Sequence, residues 1–287
     1  MIRTIALVCT HNGEKYLKDQ IDSIQKQTRG LDKIYLMDFE SSDNTRNISK
    51  KLAEEYENII RKEYDIAPGP AISFFIGIDR IRRVELGEYL LYLVDQDDFW
   101  LLSKNDFVLN QFSKSRFGFA FHDVEIVNES LETLRPNYYG SYWKAQRDFT
   151  LPSQLFSNCV IGHTCILHSD FVRELSIPLD TRIPMHDWHI ANQALLRDDY
   201  IFFEEVLSKY RQHDRNILGA SKTGFLHRLR RMRAYSKVLN GYHDYLNSCE
   251  PRLLIGVNPS SLMLMFKTLR PVRKFVYVFF VKFIFRL

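Results

Sequence analysis

The sequence predicts an α/β fold: an open, mostly parallel sheet flanked by helices, with a basic helical extension behind it. Three observations predict it. Apolar runs at residues 5–9, 34–37 and 89–94 are continuous rather than alternating, as in strands buried on both faces of a parallel sheet. Segments of helical period stand between them, giving the order βαβαβαβ. The runs at 5–9, 34–37 and 89–94 each stop at a polar cluster, and in such sheets ligands bind where loops leave the carboxyl ends of the strands. With 287 residues, 45% of them hydrophobic and 26% charged, and with 12 Gly and 9 Pro, the chain can bury one sizeable core and is not a largely disordered protein.

The first strand, 5–9, breaks at Thr10-His11-Asn12-Gly13, a turn. Tyr16, Leu17, Ile21 and Ile24 then recur at helical spacing, with Lys18, Asp19, Gln20 and Asp22 on the other face. A second strand, 33–37, ends at Asp38, and Ser41-Ser42-Asp43-Asn44-Thr45 supplies capping side chains for a helix to about Glu57. Residues 59–63 read as a third strand. Pro68-Gly69-Pro70 enforces a loop before helical periodicity returns over 71–84. The fourth strand, 89–94, runs into Asp95-Gln96-Asp97-Asp98, and further on 200–206 is strand-like, with residues 209–213 expected in the loop after it. The apolar run at the start is too short for a secretory signal, and no stretch reaches the ~20 apolar residues that span a bilayer. Cys9, Cys159, Cys165 and Cys249 show no C-x-x-C spacing and read as reduced thiols of a cytosolic protein.

Three carboxylates within four residues, behind a buried strand, repel one another unless a cation or hydrogen-bond donors lie between them. A hard divalent ion, Mg²⁺ or Mn²⁺, that joins protein carboxylates to substrate phosphates resolves the conflict. The plainer alternative is an Asp-rich turn that caps the next helix.

Six segments bear on the choice: Thr10-His11-Asn12-Gly13-Glu14-Lys15-Tyr16-Leu17; Gln20-Ile21-Asp22-Ser23-Ile24 with Gln27-Thr28; Ser41-Ser42-Asp43-Asn44-Thr45; Asp95-Gln96-Asp97-Asp98-Phe99-Trp100; Met185-His186-Asp187-Trp188; and Tyr210-Arg211-Gln212-His213 followed by Asn216 and Gly219. In order and spacing they resemble family 2 glycosyltransferases, in the bacterial rhamnosyltransferase-like branch that builds surface polysaccharides. The resemblance covers about residues 1–220 and implies a GT-A glycosyltransferase domain over 1–221. It implies inverting, metal-dependent transfer of a sugar, with rhamnose the candidate, from a nucleotide-diphosphate sugar to a lipid-linked oligosaccharide or surface-polysaccharide acceptor. Thr10, His11, Asn12, Glu14, Asp38, Asp95 and Arg211 are then the donor-binding residues, and Asp97, His213 and Asp95 the ligands of a divalent cation. An imidazole ligand suits Mn²⁺ better than Mg²⁺. Asp98 is assigned to capping the following turn or holding the loop.

Inverting transfer also needs a base for the acceptor hydroxyl, and Asp187 matches that position; a helix N-cap is the alternative. His163 and Trp188 are expected at the acceptor, with core packing the alternative for Trp188. One departure stands out. Where the family reads Asp-Asp-Gly-Ser, this chain reads Asp38-Phe39-Glu40-Ser41, so recognition of the nucleotide base would run through stacking or a different contact. The same departure admits a second reading, a catalytically degraded member serving as a nucleotide- or glycan-binding assembly component at the membrane.

From Lys222 to Leu287 there are 13 Lys/Arg and 2 Asp/Glu, which leaves 26 basic and 33 acidic residues, about −7, before them. Residues 222–287 are therefore expected to form a separate basic, aromatic-rich helical extension. Lys267, Arg270, Arg273, Lys274, Lys282 and Arg286 are interleaved with Phe266, Phe275, Phe279, Phe280, Phe283 and Phe285, the pattern of an interfacial helix on anionic lipid. Packing on the chain's own domain or on a second copy, as a homo-oligomer, is the alternative. Nucleic acid is not expected, because no binding module accompanies the charge. The resulting placement is cytoplasmic, peripheral on the inner face of the cell membrane.

Overall fold

At the centre of the molecule β1 (Arg3–Thr10) runs parallel to β4 (Tyr89–Val94) on one side and to β2 (Lys33–Phe39) on the other, with β3 (Ile59–Tyr64) outside β2. The computed structural model describes residues 2–140, 148–156, 158–213 and 240–249. Beyond β4 the sheet becomes mixed. β5 is Phe99–Trp100, β6 is Phe119–Val127, β7 is Thr133–Arg135, β8 is Ile166–His168 and β9 is Tyr200–Arg211. The order across the sheet is β3-β2-β1-β4-β8-β6-β9-β5, with β7 hung on β6. The helices are α1 (Leu17–Gln25), α2 (Thr45–Glu55), α3 (Pro70–Val84), α4 (Lys104–Lys114), α5 (Leu151–Phe156), α6 (Ser169–Glu174), α7 (His186–Arg197) and α8 (240–249), and Gly162–Thr164 forms a 3₁₀ turn.

The continuous apolar runs follow from burial on both faces. Successive side chains of a strand point to opposite sides. Ile5, Leu7, Tyr35, Met37, Leu91 and Leu93 face α3, α7 and α8, while Ala6, Val8, Ile34, Leu36, Leu90, Tyr92 and Val94 face α1, α2 and α4. Each fully buried Leu, Ile or Val contributes about 1.5–3 kcal/mol to this three-layer core. α3 lies close to the sheet at Gly77, where a Cβ would stand 2.7 Å from both methyl carbons of Leu7. Below the sheet, Glu85 accepts from Arg3, Lys33 and the Tyr35 hydroxyl, which ties the start of β1 and β2 to the end of α3.

The structure revises two expectations. β9 does not end at residue 206: it runs parallel to β6 as far as Arg211, opposite Val127. Glu204 and Glu205 are two extra, exposed residues between the pairs Phe203–His122 and Val206–Asp123. This bulge interrupts the apolar pattern without ending the strand. Second, Tyr242, Tyr245 and Leu246 of α8 are buried in the main core, so packing of the body reaches past the boundary at residue 221 that the charge shift predicts. The rest of the basic stretch, including 228–233 and 261–287, lies outside the described residues.

Candidate active site

The parallel strands end together and their loops are sewn to one another. Thr10 stands opposite Asp38 across β1 and β2, and Val8 opposite Val94. His11 donates from Nδ1 to the Phe39 carbonyl, 2.6 Å, which leaves Nε2 to accept from Asn12 Nδ2, 3.0 Å. Asn12 adopts φ 51°, the left-handed region that Asn tolerates better than most residues. Its amide donates to Ser41 Oγ at 2.9 Å and its Oδ1 accepts from the Ser42 amide at 2.8 Å. Glu14 accepts from the Asn44 amide at 2.9 Å, and Asp43 accepts from the amides of Glu14 and Thr45. Asp38 is buried and paired with Arg46 Nε at 2.9 Å.

Gln96, which sequence reasoning passed over, joins this frame to the acidic loop. Its Oε1 accepts from Thr10 Oγ1 (2.6 Å) and the His11 amide (3.0 Å), and its Nε2 donates to the His11 carbonyl (3.1 Å). The three acids around it have separated roles. Asp97 Oδ2 lies 2.8 Å from His213 Nε2, and both residues line a cavity of about 1390 Å³ above the strand ends. Asp95 lines the same cavity. Asp98 is buried: Oδ1 accepts from the Arg211 amide at 3.0 Å and Oδ2 lies 2.6 Å from His163 Nδ1. Asp98 thus ties the acidic loop to β9 and to His163.

Burial opposes a charge on His163, but Asp98 and Asp95 outweigh it and raise the imidazole to about 9. Burial together with the Asp97 and Asp95 charges raises Asp98, against the pull of His163. The pair is therefore an internal ion pair behind the cavity wall. Lys104, also fully buried, donates to the His163 carbonyl at 3.3 Å and sits 4.0 Å over the Trp100 ring.

Across the cavity, Asp187 occupies the first turn of α7 and is 3% exposed. Met185, not Asp187, is the N-cap. Asp187 Oδ1 accepts from the Trp188 amide at 2.7 Å. Desolvation raises its carboxyl to about 7, held there against the Trp188 amide and the Asn158 side chain, which favour the ionised form. A carboxyl poised near neutrality in a cleft is suited to take a proton from a hydroxyl.

Three expected contacts are corrected. His163 is 0% exposed and turned to the acids rather than the cavity. Trp188 is 4% exposed, donates from Nε1 to the Gln154 carbonyl, and packs on Tyr242. Neither lines the cavity, so neither faces an acceptor there. Arg211, on β9 rather than in a loop, donates to the carbonyls of Asp97 (3.0 Å) and Glu129 (2.6 Å) and lies 4.4 Å from the Tyr16 ring. It braces the acidic loop. Thr10, His11, Asn12 and Glu14 do line the cavity, while Asp38 sits beneath it, bound to Arg46. Phe39 reaches the cavity, and its ring stacks on Tyr64 at 4.7 Å and 5°.

The donor set fits a divalent cation. Asp97 and His213 converge at the cavity, whose lining Asp95 shares, a carboxylate–imidazole pair compatible with Mn²⁺ or Mg²⁺. Asp95, Asp98 and His163 also bring ligand atoms within 4.8 Å of one another. His163, raised by Asp98 and Asp95, would have to lose its proton to serve as a ligand there.

Comparison with known proteins identifies related glycosyltransferases. Among curated proteins the chain is 24% identical over 212 residues to the Escherichia coli UDP-Glc:alpha-D-GlcNAc-diphosphoundecaprenol beta-1,3-glucosyltransferase WfgD, covering 72% of this chain and 76% of that one. It is 23% identical over 227 residues to the Shigella flexneri dTDP-rhamnosyl transferase RfbG, covering 75% and 74%. Among solved structures it superposes on S. aureus TarS in complex with UDP-GlcNAc, with a TM-score of 0.58 and 14% identity over 91% of this chain and 77% of that one. It superposes equally, TM-score 0.58 with 15% identity over 97% and 85%, on the Pyrobaculum calidifontis mannosyltransferase PcManGT in complex with GDP-Man and Mn²⁺. These structures share the GT-A fold. The family model for glycosyl transferase family 2 matches residues 5–172, more than half of the chain, and the protein belongs to that family as a glycosyltransferase of GT-A fold.

Proposed function

We propose that the protein is an inverting, metal-assisted glycosyltransferase that moves a sugar from a nucleoside-diphosphate sugar to a lipid-linked saccharide. One observation carries the reading: the Asp187 carboxylate and the Asp97–His213 pair line the same cavity. The acceptor hydroxyl forms its bond to the anomeric carbon as the bond from that carbon to the diphosphate oxygen breaks. The electron pair leaves with the nucleoside diphosphate, and the hydroxyl proton passes to Asp187. Asp97, His213 and Asp95 would hold a divalent cation, which when bound neutralises charge on the leaving diphosphate. The loops carrying Thr10, His11, Asn12 and Glu14 form the wall on the nucleotide side.

The donors in the names of the relatives supply the test: UDP-glucose, UDP-N-acetylglucosamine, dTDP-rhamnose and GDP-mannose, each with Mn²⁺. The true donor at 100 times its Kd stabilises the fold by about 2.7 kcal/mol, read as a raised Tm. Slow release of nucleoside diphosphate to water accompanies it and disappears in Asp187→Ala and Asp97→Ala. Binding without any release would instead leave a nucleotide-binding component of an assembly. Rhamnose is the branch's sugar, and a response to dTDP-rhamnose alone among the four would assign it.

The acceptor class is supported by the diphosphoundecaprenol-linked acceptor in the name of the E. coli relative and by the basic, Phe-rich tail. We place the enzyme on the inner face of the membrane accordingly. The full chain is expected to co-sediment with vesicles of anionic phosphatidylglycerol and less with phosphatidylcholine, and to be released by salt. Equal recovery in the supernatant with both lipids would sink this placement.

A further inference from the structure

The arginine expected at the donor is committed elsewhere. Arg211 donates from Nε to the Asp97 carbonyl and from Nη1 to the Glu129 carbonyl, and its Nη2 lies 3.5 Å from Asp19 Oδ2. Among the described residues, Lys15 is then the one lysine or arginine that lines the cavity, and it shares the lining with the carboxylates of Glu14, Asp43, Asp95, Asp97, Glu129 and Asp187. So acidic a wall repels a diphosphate unless cations answer it. A metal ion at Asp97 and His213 supplies one, and the charge that the departing diphosphate gains calls for a second.

Lys15 stands close to that place. It lies in the turn between β1 and α1, with Nζ 4.8 Å from the centre of the Tyr16 ring, and the His213 ring lies 5.1 Å from the same ring. Its partner is Glu129, 2.6 Å away in the loop between β6 and β7. One guanidinium, that of Arg211, binds the carbonyls of both Glu129 and Asp97, so the loop that presents Glu129 is tied to the loop that presents the acids. The side chains of Lys15 and Glu129 are 60% and 48% exposed. An ion pair so open to water contributes little to stability, and the flexible lysine stem lets the ammonium change partner.

We propose that Lys15 binds the diphosphate of the donor, exchanging Glu129 for a phosphate oxygen, and stays with the nucleoside diphosphate as it leaves. The inference rests on the reading of the cavity as a nucleotide-sugar site. Glu129 is then a counter-ion that keeps the ammonium at the cavity until a stronger anion replaces it. The terminal phosphate of a nucleoside diphosphate carries more charge than a carboxylate and offers more acceptor oxygens, which favours the exchange.

The two members of the pair separate this role from a structural clasp, because their removal acts with opposite sign. Kd for UDP, dTDP and GDP is measured by titration calorimetry on the full chain at saturating Mn²⁺. Both substitutions fall on exposed side chains, where stability changes little. For the tightest of the three nucleotides, Lys15→Gln is expected to raise Kd at least about tenfold, the worth of a charge-assisted hydrogen bond. Glu129→Gln is expected to lower it about threefold or more, because the ammonium no longer has to leave a carboxylate and a like charge is removed from the diphosphate's surroundings. A clasp that only ties the two loops together would weaken binding in both variants, and a lysine without a part in binding would leave both at the wild-type Kd; either result overturns the proposal. If the wild type binds none of the three nucleotides, the nucleotide-sugar reading fails and the proposal falls with it. Binding by the wild type that Lys15→Gln retains in full removes Lys15 alone.

Discussion

Asp187→Asn is expected to lower the rate of sugar transfer by about 10²–10⁴-fold, the usual worth of a general base, with little change in donor affinity. The substitution keeps shape and the bond from the Trp188 amide while removing the proton acceptor. Its pH signature follows from the buried setting. Desolvation raises the carboxyl to about 7, and the base works only when ionised. The wild-type rate should therefore climb with pH and level off above about 7, and that limb should vanish in the variant. Stability moves the other way. Between the ordinary carboxyl range and about 7 the folded chain holds a proton that the unfolded chain has released, so Asp187 contributes less stability as pH rises through that window. Asp187→Asn should then raise Tm at pH 8 while abolishing transfer, the trade expected of a destabilised functional group. A variant that kept its rate, or lost it together with donor binding, would remove Asp187 from the role of base.

That carboxylate was legible in the sequence because Met185-His186-Asp187-Trp188 stands in a recognisable order with the other segments. The parallel half of the sheet was legible for a different reason. Strands β1, β2 and β4 are buried on both faces and so leave continuous apolar runs. The other half leaves weaker traces. β8 is three residues long and is inserted between β4 and β6 by antiparallel pairing, which no local pattern announces. In β9 the exposed Glu204 and Glu205 imitate the end of a strand. Misreading that end also misplaced Arg211, which belongs to a strand and spends its guanidinium on the carbonyls of Asp97 and Glu129. His163, Lys104 and Gln96 illustrate a further limit. A histidine, a lysine and a glutamine look alike in sequence whether they meet a ligand or hold a loop from behind, and only their burial and partners separate the cases.

The same distinction decides where a metal would sit, and it makes the second large prediction. Mn²⁺ binding, followed by electron paramagnetic resonance in the presence of UDP, should weaken by at least about 100-fold in Asp97→Asn and in His213→Ala, because on the proposed assignment each removes a ligand at the cavity. His163→Gln should weaken it less, by about 10–100-fold, the range for groups that orient ligands rather than bind the ion. The reason lies in charge. Asp98 and Asp95 favour the protonated form of His163, which neutralises the acids from behind and must lose that proton before it can donate a lone pair. Asp97 is left as the acid whose nearest imidazole, His213, stands with it on the open side. An ion coordinated instead by Asp95, Asp98 and His163 would invert the ranking: His163→Gln would abolish binding and His213→Ala would leave it intact. The three acids of the loop would then share one buried site, and the Asp98–His163 ion pair would have to break, with loss of a proton from His163, each time the metal bound. Proton release on Mn²⁺ binding, measured by calorimetry in buffers of different ionisation enthalpy, separates the two arrangements, since an ion held by Asp97 and His213 leaves the His163 proton in place.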